Sequence, residues 1–123
     1  MEVIHIGSFR SQQSDPDQEG YASTKAGTSG LMHSMAISAS RWGIRVNVVS
    51  PGRIKTGHEC KEADEKGMKW EDVHEEKDVE DHPANRAGRP EDIAEAVCWL
   101  VGAGFVNAQE IVVDGGVGKV KAS

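Results

Sequence analysis

The sequence predicts an α/β fold, in which a parallel sheet of three short strands is covered by helices. Two observations lead to this prediction. Apolar runs that stop at Gly, Ser or Pro are typical of buried parallel strands, and such runs alternate along the chain with segments of helical pattern. The order strand, helix, strand, loop, helix, strand is the one that a parallel sheet with crossover helices requires.

The first half of the chain contains two strands and a helix. EVIHIGS, residues 2–8, ends in glycine and serine, as a strand does where it leaves the sheet. A helix is predicted from about Tyr21 to Trp42, because Gly43 suits the left-handed position that follows a helix. IRVNVVS, residues 44–50, is a β-branched run that stops at a Pro-Gly turn, and we predict a second strand there.

The second helix is predicted in RPEDIAEAVCWLVG, residues 89–102. Proline stands at a plausible first helical position, and two carboxylates follow in the first turn, where they interact favourably with the helix dipole. Apolar residues at i, i+3, i+4 and i+7 form one face for packing on a sheet: Ile93, Ala96, Val97 and Leu100. The last predicted strand is EIVVD, residues 110–114, followed by Gly-Gly.

The predicted sheet is unfinished. A parallel sheet needs cover on both faces, yet the chain starts directly on a strand of the buried kind. Nothing before that strand pairs with it or covers it. We therefore expect further structure upstream of Met1.

Length and charge limit the class of protein. At 123 residues with 37% apolar content, the chain is expected to form one small domain. Residues 57–88 hold eleven Asp/Glu against five Lys/Arg, whereas the remainder balances at nine against nine, so the net charge of −6 lies in that one segment. The chain has no basic stripe for a nucleic acid. It also has no apolar run near the ~20 residues of a membrane span, and no signal peptide, so we expect a cytoplasmic protein.

The acidic segment 57–88 is expected to be a mobile, solvated loop with one exposed helix, because it lacks clear periodicity. Four of its residues could bind a metal: His58, Cys60, His74 and His82. Their spacing fits no tight template, and we predict no metal site. Cys60 and Cys98 lie outside any C-x-x-C pattern, so both are expected to be reduced thiols, with Cys98 a small core residue.

The only tyrosine of the chain, Tyr21, is followed four residues later by Lys25. Side chains four apart on a helix project from one face, so the two are predicted to lie together. A cation within about 4 to 6 Å stabilises a phenolate, which makes the pair a candidate for proton transfer. Such pairs are also common on surface helices with no catalytic role. Ser8, at the carboxyl end of the first strand, could donate a hydrogen bond to a substrate oxygen at the edge where α/β folds bind ligands.

The residues around this pair are small: Ala22, Ala26, Gly27 and Gly30. They are expected to permit close approach of another backbone or a partner helix. Each of the two glycines costs about 1 kcal/mol against alanine in a helix interior, so packing must offset that cost.

Several segments, in this order, resemble the classical short-chain dehydrogenase/reductase family. They are Ser8 thirteen residues before Tyr21, then YASTKAG, GIRVNVVSPGRIKTG, HPANRAGRPEDIAEAVCWL and QEIVVDGG. Each motif alone is weak, but the ordered combination covers essentially the whole chain. The resemblance implies a partial Rossmann-like, doubly wound sheet whose amino-terminal half is missing. Residues 1–123 would be the carboxyl-terminal half of one NAD(P)-binding domain, with residues 57–88 as its variable substrate-loop insertion.

The resemblance also implies a chemistry. The full-length protein would move hydride between the nicotinamide of NAD or NADP and a small-molecule carbonyl or secondary alcohol. Tyr21 would be the general acid/base, Lys25 would hold the nicotinamide ribose hydroxyls, and Ser8 would orient the substrate oxygen. Four further residues would line the nicotinamide: Pro51, Gly52, Ile54 and Thr56. The helix from Tyr21 to Trp42 builds the subunit interface in that family, so a homo-oligomer is expected, without a nucleic-acid or membrane partner.

The sequence also departs from the family pattern. The T-G-x-x-x-G-x-G turn, the N-A-G segment and the helix asparagine of the usual catalytic tetrad are absent from residues 1–123. The residues that hold a pyrophosphate and select NAD or NADP are therefore not located. Asn107 and Ala108 stand where the family usually has Thr-Gly, a change that could shift the last strand. The alternative function is a truncated, non-catalytic remnant that acts, if at all, through association with another chain.

Overall fold

The computed structural model of the chain describes residues 1–54 and 80–120. Three strands form one sheet in the order β1, β2, β3. They are β1 (Glu2–Ile6), β2 (Arg45–Pro51) and β3 (Glu110–Val113). Both pairings are parallel, with Glu2 opposite Arg45 and Val48 opposite Glu110. The predicted parallel sheet with covering helices is confirmed.

Two α-helices are described, α1 (Glu19–Ala39) and α2 (Pro90–Gly102). Helix α1 begins two residues before the predicted start, and a 3-10 turn, Ser40–Trp42, continues it to the predicted end. Gly43 then adopts φ 68°, the left-handed conformation that the sequence indicated. None of the described helices has both the length and the apolar character needed to cross a bilayer.

The core lies around β2, the central strand, in which five successive residues, 46–50, are buried. Met32 and Ala36 of α1 pack against Val46 and Val48 on one face of the sheet. Burying a valine or methionine side chain contributes roughly 1.5–3 kcal/mol. Two of the buried residues of β2, Asn47 and Ser50, are polar, and both make hydrogen bonds, as buried polar groups must.

Helix α2 packs against β2 and β3 and carries the fully buried Leu100. Its first turn is fixed by Asp92, whose carboxylate accepts the backbone N–H of Arg89 at 2.8 Å and pairs with the Arg86 guanidinium at 2.7 and 2.8 Å. Its last turn is fixed by Arg45, which donates to several backbone carbonyls. Both ends of α2 thus have partners for the backbone groups that a helix leaves unpaired.

The link into β3 contains Asn107 and Ala108, the two residues that depart from the Thr-Gly of the family pattern. The Asn107 Oδ1 atom accepts the N–H of Val46 at 3.0 Å, and the N–H of Ala108 donates to the Val46 carbonyl at 2.9 Å. Ala108 adopts φ 57°, a left-handed conformation in which glycine carries less strain. Because these bonds lead directly into the regular pairing of Val48 with Glu110, the two departures leave β3 in parallel register.

Two expectations from the sequence are wrong. Cys98 is exposed rather than a core residue, because it lies on the outer side of α2 while Leu100 faces inward. His82 belonged to the segment expected to be solvated, yet it is only 2% exposed and packs beside Gly115. Residues 57–79 of that segment lie outside the described residues, and these include His58, Cys60 and His74. Among the described residues, no group of three or more His, Cys, Asp or Glu is placed to hold a metal.

Candidate active site at the carboxyl edge of the sheet

Ser8 lies immediately beyond β1, and it is buried. Its Oγ atom accepts the N–H of Arg10 at 3.2 Å and so caps a 3-10 turn, Phe9–Ser11. The preceding Gly7 donates its N–H to the Val49 carbonyl at 2.7 Å. A Cβ atom on Gly7 would lie 2.8 Å from side-chain atoms of both Ser50 and Val48, so only glycine brings the backbone this close to β2. Ser8 is therefore held firmly at the sheet edge.

Tyr21 and Lys25 lie in the first two turns of α1. The Nζ atom of Lys25 is 5.5 Å from the centroid of the Tyr21 ring, within the range of a cation–π contact. The predicted common face for these side chains is thus confirmed. Tyr21 is 49% exposed, which leaves it accessible to a ligand from solvent.

The turn after β2 contains the next predicted site residues. Gly52 donates its N–H to the Val113 carbonyl at 3.0 Å, which extends the pairing of β2 with β3 beyond Pro51. A Cβ atom on Gly52 would lie 2.6 Å from the Asp114 Cβ atom, so a side chain is excluded there. Ile54 forms an isolated parallel bridge with Gly88. Thr56 lies outside the described residues.

A cavity of about 240 Å³ lies beside Ile54. Charged groups of both signs surround it: Arg53, Arg86, Asp92, Glu95 and Asp114. Asp92 and Glu95 belong to α2, and the cavity is closed on the sheet side by Val113. Val113 points away from the face that α1 covers, since side chains alternate along a strand and Glu110 faces α1. The structure thus brings Ile54 to this cavity, whereas Ser8 and Tyr21 are not among its lining residues.

One residue of this region carried no signal in the sequence. Glu110, at the start of β3, accepts hydrogen bonds from Ser11 Oγ at 3.0 and 3.1 Å, Ser29 Oγ at 2.6 Å and Ser50 Oγ at 3.0 Å. The Gln12 side-chain amide donates to it as well. Burial raises the pKa of this carboxyl, but the bonds from Ser29, Ser50, Ser11 and Gln12 together outweigh burial and hold the pKa below its ordinary value. Nothing local marks Glu110, since its partners are 60 to 99 residues away.

Comparison with known proteins gives consistent matches. A family model described as enoyl-(acyl carrier protein) reductase matches residues 1–118. An uncharacterized oxidoreductase of Thermotoga maritima is 41% identical over 118 residues, which are 94% of this chain and 44% of that protein.

Solved structures also match nearly the whole chain. An apo SCOR enzyme from Clostridium thermocellum is 32% identical with a TM-score of 0.81, over 99% of this chain and 44% of the other. A gluconate 5-dehydrogenase from Burkholderia cenocepacia, solved with NADP and tartrate, is 28% identical with a TM-score of 0.76, over 98% of this chain and 46% of the other. The chain thus spans less than half the length of each of these three proteins.

Proposed function

The chain belongs to the short-chain dehydrogenase/reductase family, and from that premise we propose that it carries the proton-transfer residues of an NAD(P)-dependent oxidoreductase. The reaction interconverts a small-molecule carbonyl and a secondary alcohol. The observation that carries this proposal is the pairing of Tyr21 with Lys25 on an accessible helix face.

Tyr21 is proposed as the general acid/base. In the direction of carbonyl reduction its phenol gives a proton to the substrate oxygen, and in the reverse direction the phenolate takes that proton back. Lys25 is proposed to assist this proton transfer from the same face of the helix, because its ammonium lies 5.5 Å from the centroid of the Tyr21 ring.

Ser8 is proposed to orient the substrate oxygen. Its Oγ atom accepts a bond from the Arg10 N–H, which leaves the hydroxyl proton to be donated to a second acceptor such as that oxygen. Because Ser8 is buried and its backbone is fixed to β2 through Gly7, the hydroxyl has little freedom to move away from the sheet edge. A positioned donor of this kind stabilises the substrate oxygen as charge develops on it.

The donor set fits the nicotinamide half of a dinucleotide. Lys25 offers an ammonium for the ribose hydroxyls, and four residues at or after the last position of β2 in the sequence are proposed to line the nicotinamide: Pro51, Gly52, Ile54 and Thr56. A bound nicotinamide supplies or accepts the hydride. The glycine-rich turn that cradles a pyrophosphate is absent from residues 1–123, so neither NAD nor NADP is favoured by this chain.

Self-association through the outer side of α1 is also proposed. Leu31 and Ile37 are exposed on α1, and Trp42 is exposed in the 3-10 turn that continues it. The positions of Gly27 and Gly30 face open space in the described part of the chain. Small residues beside exposed apolar side chains allow a second helix to approach closely. A second copy of the same helix is the proposed partner.

The test compares the chain alone with a joined protein, in which residues 1–123 follow the part of the Thermotoga maritima relative that they do not match. We expect no measurable binding of NADH or NADPH by the chain alone, because it lacks the pyrophosphate cradle. We expect the joined protein to oxidise NADH or NADPH with a panel of ketones, measured by nicotinamide absorbance.

Tyr21→Phe in the joined protein should abolish turnover while cofactor binding persists, because only the transferred proton is removed. Ser23→Ala is the matched control. It also removes one hydroxyl from the first turns of α1, but that hydroxyl bonds to the Gly20 carbonyl of the same helix. Full activity of Tyr21→Phe would contradict the assigned acid/base. Inactivity of a folded, cofactor-binding joined protein would favour a non-catalytic remnant.

A further inference from the structure

Glu110 is the centre of a hydrogen-bond cluster that joins four elements of the fold. We define the Glu110 cluster as Glu110 with Ser11, Gln12, Ser29 and Ser50. Ser11 and Gln12 lie in and after the turn that follows β1, Ser29 lies on α1, and Ser50 lies on β2. One carboxylate on β3 therefore touches every described segment that supplies a candidate catalytic residue.

Three members of the cluster lie close in the chain to a proposed site residue. Ser11 follows Ser8 by three residues and donates its own N–H to the Ser8 carbonyl at 3.1 Å. Ser29 lies one helical turn beyond Lys25 and on the same face. Ser50 directly precedes Pro51, the last residue of β2. A displacement of Glu110 would be transmitted to all three.

The first half of helix α1 depends on this cluster for its attachment to the sheet. Its two buried side chains, Met32 and Ala36, both lie in its second half. The first half, which carries Tyr21 and Lys25, contains no buried side chain. The bond from Ser29 to Glu110, at 2.6 Å, is therefore the polar anchor between the sheet and the half of the helix that carries the site.

We propose that Glu110 is a positioning residue, which fixes the turn after Ser8, the first half of α1 and the end of β2 relative to one another. This inference rests on the proposed function. Glu110 does not act on substrate itself, because a carboxylate offers roughly four lone-pair sites and the protein donors occupy both of its oxygens.

A carboxylate suits this role better than a neutral side chain. Hydrogen bonds to a charged acceptor are shorter and about twice as strong as neutral ones. The pKa below its ordinary value keeps Glu110 ionised at neutral pH, although burial opposes this. Glutamine would keep one acceptor oxygen of the two, whereas alanine would leave the partly buried serine hydroxyls without this acceptor.

The test measures amide hydrogen exchange by NMR on residues 1–123, so it does not depend on activity. Exchange at Arg10 and Ser11 reports on the turn after Ser8, because both amides bond to Ser8. In Glu110→Ala we expect these two amides to exchange about tenfold faster relative to Val48 of the core. Glu110→Gln keeps the size of the side chain and should show a smaller increase.

Two variants serve as controls. Asp92→Asn removes another partly buried carboxylate that accepts several bonds, but none of its partners lies in the cluster. It should accelerate exchange at Arg10 no more than at Val48. Ser29→Ala removes only the bond to α1. Although alanine favours the helix more than serine does, the loss of this bond should speed exchange in the first half of α1 and leave Arg10 unchanged.

Uniform acceleration across the fold in Glu110→Ala, or no acceleration at Arg10, would overturn the positioning role. In the joined protein, Glu110→Gln should lower kcat on the order of 10- to 100-fold, whereas Glu2→Gln, which changes a partly buried carboxylate at the opposite end of the sheet, should not. If the joined protein is inactive in every version, the proposed function fails, while the exchange data still decide whether Glu110 positions the three segments.

Discussion

The two helices that cover the sheet are held in different ways. Helix α2 has 13 residues, a carboxylate in its first turn with two partners, an arginine at its last carbonyls and a fully buried leucine. Helix α1 has 21 residues, yet its N-cap makes no side-chain bond, and it buries only Met32 and Ala36. Helix α2 is therefore held at both ends and along its apolar face, whereas the first half of α1 is held to the sheet by the bond from Ser29 to Glu110.

The largest expected effect is on the free energy of unfolding, and it compares an apolar side chain of α2 with one of α1. Leu100→Ala should lower the free energy of unfolding by about 2–5 kcal/mol, because the side chain is fully buried. Leu31→Ala on α1 is the matched substitution at a side chain that is 55% exposed, and should change stability by less than about 0.5 kcal/mol. Urea unfolding at low protein concentration measures both. Equal losses would show that α1 buries its outer face.

An intermediate effect tests the cap of α2. The hydrogen bonds from Arg86 lower the pKa of Asp92, burial opposes them, and the Arg89 N–H lowers the pKa further. Because the folded-state pKa lies below the unfolded-state value, the stabilisation is present above the ordinary carboxyl range and is lost as the pH falls through the folded pKa. Asp92→Asn should cost about 1 kcal/mol at pH 7.

The pH dependence of that cost is the sharper part of the test. The difference between Asp92→Asn and the original chain should disappear in acid, where the native carboxyl is protonated too. Thermal unfolding followed by circular dichroism from pH 7 to pH 2 checks this. A difference that stays constant over the whole range would mean that the charge of Asp92 does not matter.

The smallest effect concerns the glycines of α1. A Cβ atom at Gly27 or Gly30 meets no atom within 4 Å in the described part of the chain. Each replacement by alanine should therefore stabilise the isolated chain by up to about 1 kcal/mol. Gly43→Ala is the opposite control, because φ is 68° there and alanine should destabilise by about 1–2 kcal/mol.

The same glycine variants test self-association through α1. If a second copy packs on that side, Gly27→Ala and Gly30→Ala should weaken the oligomer while they stabilise the monomer. Sedimentation across a range of protein concentrations measures this balance. An oligomer that both substitutions leave intact would place the contact elsewhere.

Much of the fold could be predicted because its signals are local. The β-branched run of β2 and the Pro start of α2 lie within single elements, and each was correctly assigned to within two residues. The closeness of Tyr21 and Lys25 follows from helical spacing alone. The burial of His82 and the exposure of Cys98 were not predictable in this way, because each depends on which side of an element faces the sheet.

The strand and helix order, the common face of Tyr21 and Lys25 and the likeness to a family could be predicted from the sequence, since all of these depend on spacing within short segments. The bonds of Glu110 with Ser11, Ser29 and Ser50, and the cavity between Ile54 and α2, arise only when the chain folds. The physical reason is distance along the chain. Ser11 and Glu110 are 99 residues apart, and only the parallel pairing of β1 with β2 and of β2 with β3 brings them together.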